Sequence, residues 1–154
     1  MSRVSKRLVW FFIIVSFLGF ADATYLTIEH YLGVVPPCLF AGCEVVTTSD
    51  YATWFGFLPV ALVGAVYYFI IFFSALLYLV EGWRWGMTVL KYIPVTGFLG
   101  SLYFIYLQGF VINAWCQYCL FSVGTSTLLF LASIWLLAPK RSRNDEASES
   151  VGRA

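Results

Sequence analysis

FLPVALVGAVYYFIIFFSALLYLV, residues 57–80, contains no charged side chain. An apolar run of about 20 residues crosses a hydrocarbon core of roughly 30 Å. Lipid offers no partner to backbone N–H and C=O groups, so such a run must satisfy them internally as a helix. The stretch is therefore predicted to be a transmembrane helix. Working outward from it, residues 8–26, 92–112 and 115–138 form three further apolar runs. Pro59 and Pro94 fall near the starts of two runs, where a missing N–H costs little. Pro139 follows the last run and helps to end it. The composition agrees: 61% of the 154 residues are hydrophobic and 11% are charged, against roughly 25% charged in a soluble domain. The expected architecture is an all-α membrane protein, a four-transmembrane-helix bundle over residues 1–139. Residues 140–154, KRSRNDEASESVGRA, read as a polar and disordered tail.

The placement of charge sets the expected orientation. Arg3, Lys6 and Arg7 precede the first run. Arg84 and Lys91 lie between the second and third. Lys140, Arg141, Arg143 and Arg153 follow the fourth. The other two connections hold no Lys or Arg. Four spans bring the three basic regions to one side, and cytoplasmic loops carry the excess of Lys and Arg. Both termini are thus expected in the cytoplasm of a multi-pass plasma-membrane protein. The two connections without Lys or Arg face outward. A net charge of +1 gives no indication of a nucleic-acid partner.

The N-terminus also has the outline of a secretory signal, with a basic start, an apolar core and Ala21-Asp22-Ala23 as an A-x-A-like cleavage site. Cleavage near Ala23 would leave three spans with the same loops outside. Apolar residues continue past Ala23, at Tyr25, Leu26 and Ile28, which favours retention as the first span.

All four cysteines fall in the outward segments, where disulfides persist. Cys38 and Cys43 stand in PPCLFAGCEVV. Pro36 and Pro37 stiffen the approach and Gly42 permits a turn. A bridge there closes a very short loop and stabilises the fold little, which suits a relay on a mobile loop better than a staple. Cys116 and Cys119 form a C-x-x-C in NAWCQYCLFSVG, where the fourth run begins. Unpaired N–H groups at a helix start favour a thiolate, the reactive species. Cys116 is expected to be the more exposed and acidic sulfur, and Cys119 to lie about one turn deeper. Two structural disulfides are one alternative. An all-thiolate zinc site is another, although only one pair has metal-ligand spacing.

Dithiol chemistry at a membrane surface needs a lipid-soluble two-electron partner, and a quinone is the obvious one. Thiol–disulfide exchange can carry electrons from a soluble protein to the loop pair and then to the helix pair. Cys119 would then reduce a quinone held between helices. Aromatic side chains suit such a pocket, though most here are expected to anchor at the interface or pack the bundle.

The patterns C-x4-C-E-V-V-x-x-S-x-Y-A, W-F-G-F-L-P-V-A-L-V-G and C-Q-Y-C-L occur in that order. Over residues 21–132 the chain resembles the bacterial branch of the vitamin K epoxide reductase family. The resemblance implies a four-helix bundle around a quinone site near the outer surface. It implies that Cys116 and Cys119 are the active-site pair, with Cys119 facing the quinone, and that Cys38 and Cys43 are the shuttle. On that mapping Cys43 exchanges with Cys116 and Cys38 meets the outside partner. Ser49 matches a serine or threonine near the family's active site; it is equally readable as a turn or helix-cap residue. Val123 stands where the animal enzymes carry a substrate-binding tyrosine, and their early second-helix asparagine is missing. That favours quinone reduction coupled to disulfide formation in exported proteins over epoxide reduction. Many bacterial relatives carry a fused thioredoxin-like domain; here that partner is expected to be a separate protein.

Other candidates are weaker. Asp22 is an ionisable group at the outer end of the first span, a functional candidate by default. His30 reads as an interfacial residue or a proton donor to the quinone. Gly97, Gly100 and Ser101 read as small residues that let helices approach. Disulfide bond formation protein B has comparable chemistry, but there the C-x-x-C comes in the first outward loop. A non-catalytic scaffold or transporter subunit with two structural disulfides is the alternative from another class.

Overall fold

A computed structural model of the chain describes residues 6–39, 42–54 and 56–138. The expected tail at 140–154, Pro139, and the basic residues Arg3, Lys140, Arg141, Arg143 and Arg153 lie outside the described residues. The described chain is mostly helical, and four helices are long and apolar enough to cross a membrane.

Helix α1, Lys6–Leu32, runs for 27 residues. It continues past the predicted end because nothing in TIEHYL breaks it, and the chain turns at Gly33 with φ 66°. A short outer helix α2, Cys43–Thr47, follows. A 3-10 turn, Asp50–Ala52, leads into a small antiparallel hairpin of β1, Thr53–Trp54, and β2, Leu58–Pro59. This hairpin is an addition to the expected all-helical layout. Helix α3, Val60–Glu81, begins directly after Pro59, as the missing N–H allows.

Helix α4, Arg84–Tyr106, starts earlier than expected. Pro94 is therefore not near its start but well inside it, fully buried. The helix nucleates at the turn after α3, and a buried proline in lipid is tolerated where neighbouring helices cover the interrupted backbone. Lys91 accordingly lies within α4 rather than in a connecting loop. A π-helical turn, Leu107–Ile112, extends α4 to its outer end. Asn113 then reverses the chain with φ 52°, a left-handed conformation that asparagine tolerates. Helix α5, Gln117–Leu137, returns across the membrane with Cys116 as its N-cap.

The helices pack in the ring α1, α3, α4, α5, with α5 closing onto α1. Phe12, Tyr68, Ile71, Leu90 and Leu129 fill the core. Trp10, Phe69, Leu99 and Trp135 point outward, where lipid rather than water solvates them. Four antiparallel spans bring the α1–α3 connection and the start of α5 to the same end, so all four cysteines meet there.

Candidate active site

The site is built from the outer loop pressed onto the start of α5. Cys38 and Cys43 are joined in a disulfide with Cα atoms 6.2 Å apart. Cys116 and Cys119 are free thiols. Cys43, Val46 and Cys116 form a buried cluster, with Cys38, Ile112, Tyr118 and Cys119 packed against it. Residues that lie far apart in sequence, 38–43 and 116–119, thus share one small volume.

The two residues between the cysteines of C-Q-Y-C hold the loop down. The N–H of Leu39 donates to Gln117 Oε1 at 3.1 Å. The Tyr118 hydroxyl donates to the carbonyl of Pro37 at 3.0 Å. The Tyr118 ring also packs on Tyr25 of α1, with centroids 5.6 Å apart. Gly42 completes the contact: its φ is 141°, and a Cβ there would sit 2.9 Å from the carbonyl oxygen of Trp115. Only glycine gives both that conformation and that approach. Pro37, Leu39 and Gly42 are thus in contact with the start of α5. The expectation of an exposed Cys116 is corrected. Cys116 is 0% exposed, because α2 covers the N-terminus of α5.

Cys116 is nonetheless the acidic sulfur. The Cys119 thiol, hydrogen-bonded to it, and the backbone N–H groups of Cys119 and Tyr118 hold its pKa down to about 6, against the opposing effect of burial. These N–H groups are unpaired donors of the first turn of α5.

Cys119 lies on the other side. It lines a cavity of about 620 Å³ enclosed by α1, the outer loop, α3, α4 and α5. Ligand cavities commonly measure roughly 300–1,000 Å³. Cys116 is not part of its wall. Asp22 lines the cavity, half-buried, and its Oδ2 is buried without a hydrogen-bond partner. Ser49 also lines it, but its hydroxyl donates to the carbonyl of Val46 at 2.8 Å. Although Ser49 precedes the 3-10 turn, its side chain caps nothing. Exposed His30 stands at the rim, and Val123 contributes a purely apolar stretch.

Gln108 went unnoticed in the sequence. It is buried, and its Oε1 accepts from the N–H of Cys116 at 3.0 Å. It thus ties the π-helical turn to the first cysteine of the pair. A polar residue inside an apolar span was the available signal. Among the described residues, no group of three or more His, Cys, Asp or Glu side chains converges to hold a metal ion.

A four-span bundle that gathers two cysteine pairs over an apolar cavity belongs to the class of membrane thiol oxidoreductases. Residues 10–134 match the model of the vitamin K epoxide reductase family, and the chain belongs to that family. None of the curated proteins compared with it matches the chain.

Proposed function

We propose that the protein passes electrons from a separate thioredoxin-like dithiol protein to a quinone and so supports disulfide formation in exported proteins. A partner dithiol reduces the Cys38–Cys43 disulfide and is itself oxidised to a disulfide. Cys43 then attacks Cys116 of a Cys116–Cys119 disulfide, breaking that bond and releasing the Cys119 thiolate, and Cys38 displaces Cys116 from the mixed disulfide, which restores the loop disulfide and leaves Cys116 and Cys119 reduced. Oxidation of that dithiol to a disulfide releases two electrons and two protons, which convert a quinone into a quinol. The carrying observation is the division of the pair: Cys116 packs beneath Cys43, while Cys119 faces the cavity. Each sulfur meets one redox partner. The disulfide in the loop together with the free thiols at 116 and 119 corresponds to the stage at which the inner pair holds the electrons.

Cys38 serves as the sulfur that meets the outside partner. Ser49 and Asp22 border the quinone, Ser49 through the lone pairs of its oxygen and Asp22 as an acceptor for the proton leaving Cys119. The cysteine end faces the extracytoplasmic side, as the basic residues Lys6, Arg7, Arg84 and Lys91 at the opposite end support. An impermeant maleimide added to intact cells after reduction should label the cysteines. Labelling only after lysis would reverse the orientation.

The decisive test is Cys119→Ala in quinone reduction by a dithiol partner, with an expected loss of at least about a hundredfold. Undiminished turnover excludes the mechanism. Redox titration separates this reading from a scaffold, since structural bridges resist reduction with potentials below roughly −300 mV.

A further inference from the structure

Three residues that line one cavity each carry a buried polar atom without a hydrogen-bond partner: Asp22 Oδ2, Tyr67 Oη and Gln108 Nε2. A buried polar group left unpaired destabilises the fold. The concentration of these three around a single space points to the polar atoms of a ligand.

Two of the three are donors. Gln108 is 1% exposed. A backbone N–H requires an acceptor, so the bond from Cys116 N–H fixes which end of the Gln108 amide is oxygen. Nε2 is left with two hydrogens and no acceptor. Tyr67 enters from α3, half-buried. Its phenol rests where Gly97 lacks a side chain, and a Cβ at that position would overlap the hydroxyl. The small residue on α4 therefore makes room for a functional group as well as for helix packing.

We propose that Gln108 Nε2 and Tyr67 Oη are the donors that hold the two opposed carbonyl oxygens of a para-quinone. The proposal rests on the reading of the cavity as a quinone site and adds the residues that orient the ring. Between Gly97, where the Tyr67 hydroxyl sits, and Gln108, α4 rises roughly 16 Å at 1.5 Å per residue. A para-quinone with a hydrogen bond of about 2.9 Å at each carbonyl spans roughly 11 Å, less than the rise between the two positions. Cys119 borders the same space. Val123 offers no donor, and the two carbonyl partners come instead from α3 and the π-helical turn.

The probe is 2-methyl-1,4-naphthoquinone labelled with carbon-13 at its carbonyls, bound to the purified full-length protein and followed by infrared difference spectroscopy. Hydrogen bonding lowers a carbonyl stretch, so both bands should lie below those of the free quinone. Tyr67→Phe should return one band toward its free position, Gln108→Met the other, and the double variant both. Gly97→Ala, which displaces the Tyr67 phenol without altering it, should reproduce the Tyr67→Phe spectrum. KM for the quinone should rise about fivefold or more in each single variant. Saturable binding with carbonyl bands unmoved by Tyr67→Phe and Gln108→Met overturns the two-donor assignment alone. Absence of saturable binding to the unsubstituted protein overturns the quinone site and the assignment together.

Discussion

The backbone N–H of Leu39 donates to Gln117 Oε1 at 3.1 Å, joining the loop of one cysteine pair to the interior of the other. With the bond from Tyr118 to Pro37, it makes the two residues inside the C-x-x-C a clasp for the Cys38–Cys43 loop. Each neutral hydrogen bond is worth about 1 kcal/mol, or roughly a fivefold change in the docked fraction. Gln117→Met and Tyr118→Phe should each slow electron transfer from the loop pair to Cys116 by about that factor, and together by more than tenfold. Stopped-flow reduction through the loop gives the measurement. Direct reduction of a Cys116–Cys119 disulfide by a small dithiol should not slow. Gly42→Ala should exceed either change, because a Cβ meets the Trp115 backbone.

The acidity of Cys116 gives a second expectation. Its pKa is lowered to about 6, so the thiolate is present above that pH and is lost as pH falls through it. Alkylation of Cys116 in the Cys38→Ser/Cys43→Ser variant, followed by mass spectrometry, should rise with pH to a midpoint near 6. It should level off roughly one pH unit higher. Cys119→Ala removes the hydrogen bond that contributes most and should move the midpoint up. A rate that climbs steadily to the ordinary thiol range would show that Cys116 is not activated.

Much of this was legible in the residues, because lipid leaves the chain few choices. Uncharged runs must be helices, and four alternating spans fix which ends share one side of the membrane. The C-x-x-C and the loop pair therefore share one side by topology alone. Finer features depended on packing. The burial of Cys116 follows from α2 lying over α5, and nothing local in CEVVT announces that docking. Pro94 looked like a helix start because proline is favoured there; the turn that follows α3 governed instead. Gln108 was hidden among apolar neighbours, although a lone amide in a span carries the same physical warning as the carboxyl of Asp22.

Asp22 supplies a third expectation, specific to the inner half of the reaction. Its carboxyl lines the cavity beside Cys119 with one oxygen unpartnered. Asp22→Asn keeps the shape and removes the proposed proton acceptor. General acid–base catalysis contributes about 10²–10⁴-fold. Quinone reduction by the pre-reduced protein should therefore slow by at least about a hundredfold, while exchange between the loop and Cys116 stays within about twofold. Single-turnover kinetics resolves the two steps. Equal slowing of both would mean that the substitution disturbs the bundle rather than proton transfer.

Tyr68 carries the expectation for stability. Fully buried on α3, it reaches α5 with its hydroxyl, 2.8 Å from the carbonyl of Ser122, 2.9 Å from Ser122 Oγ and 2.7 Å from Thr125 Oγ1. Its ring rests on Gly19 of α1, where a Cβ would overlap it. One side chain thus fastens three of the four spans, partly by polar bonds and partly by close approach. Tyr68→Phe leaves the ring in place but strips the hydrogen-bond partners, at a cost of about 1–3 kcal/mol. The Thr125 hydroxyl still donates to the carbonyls of Phe121 and Ser122, which places the loss toward the lower end. Gly19→Ala forces the ring aside and should cost about as much through overpacking. Denaturant titration in detergent should rank both variants below the parent. Because the two act on one ring, their effects in combination should depart from additivity. Strict additivity would mean that Tyr68 does not transmit packing from α1 to α5.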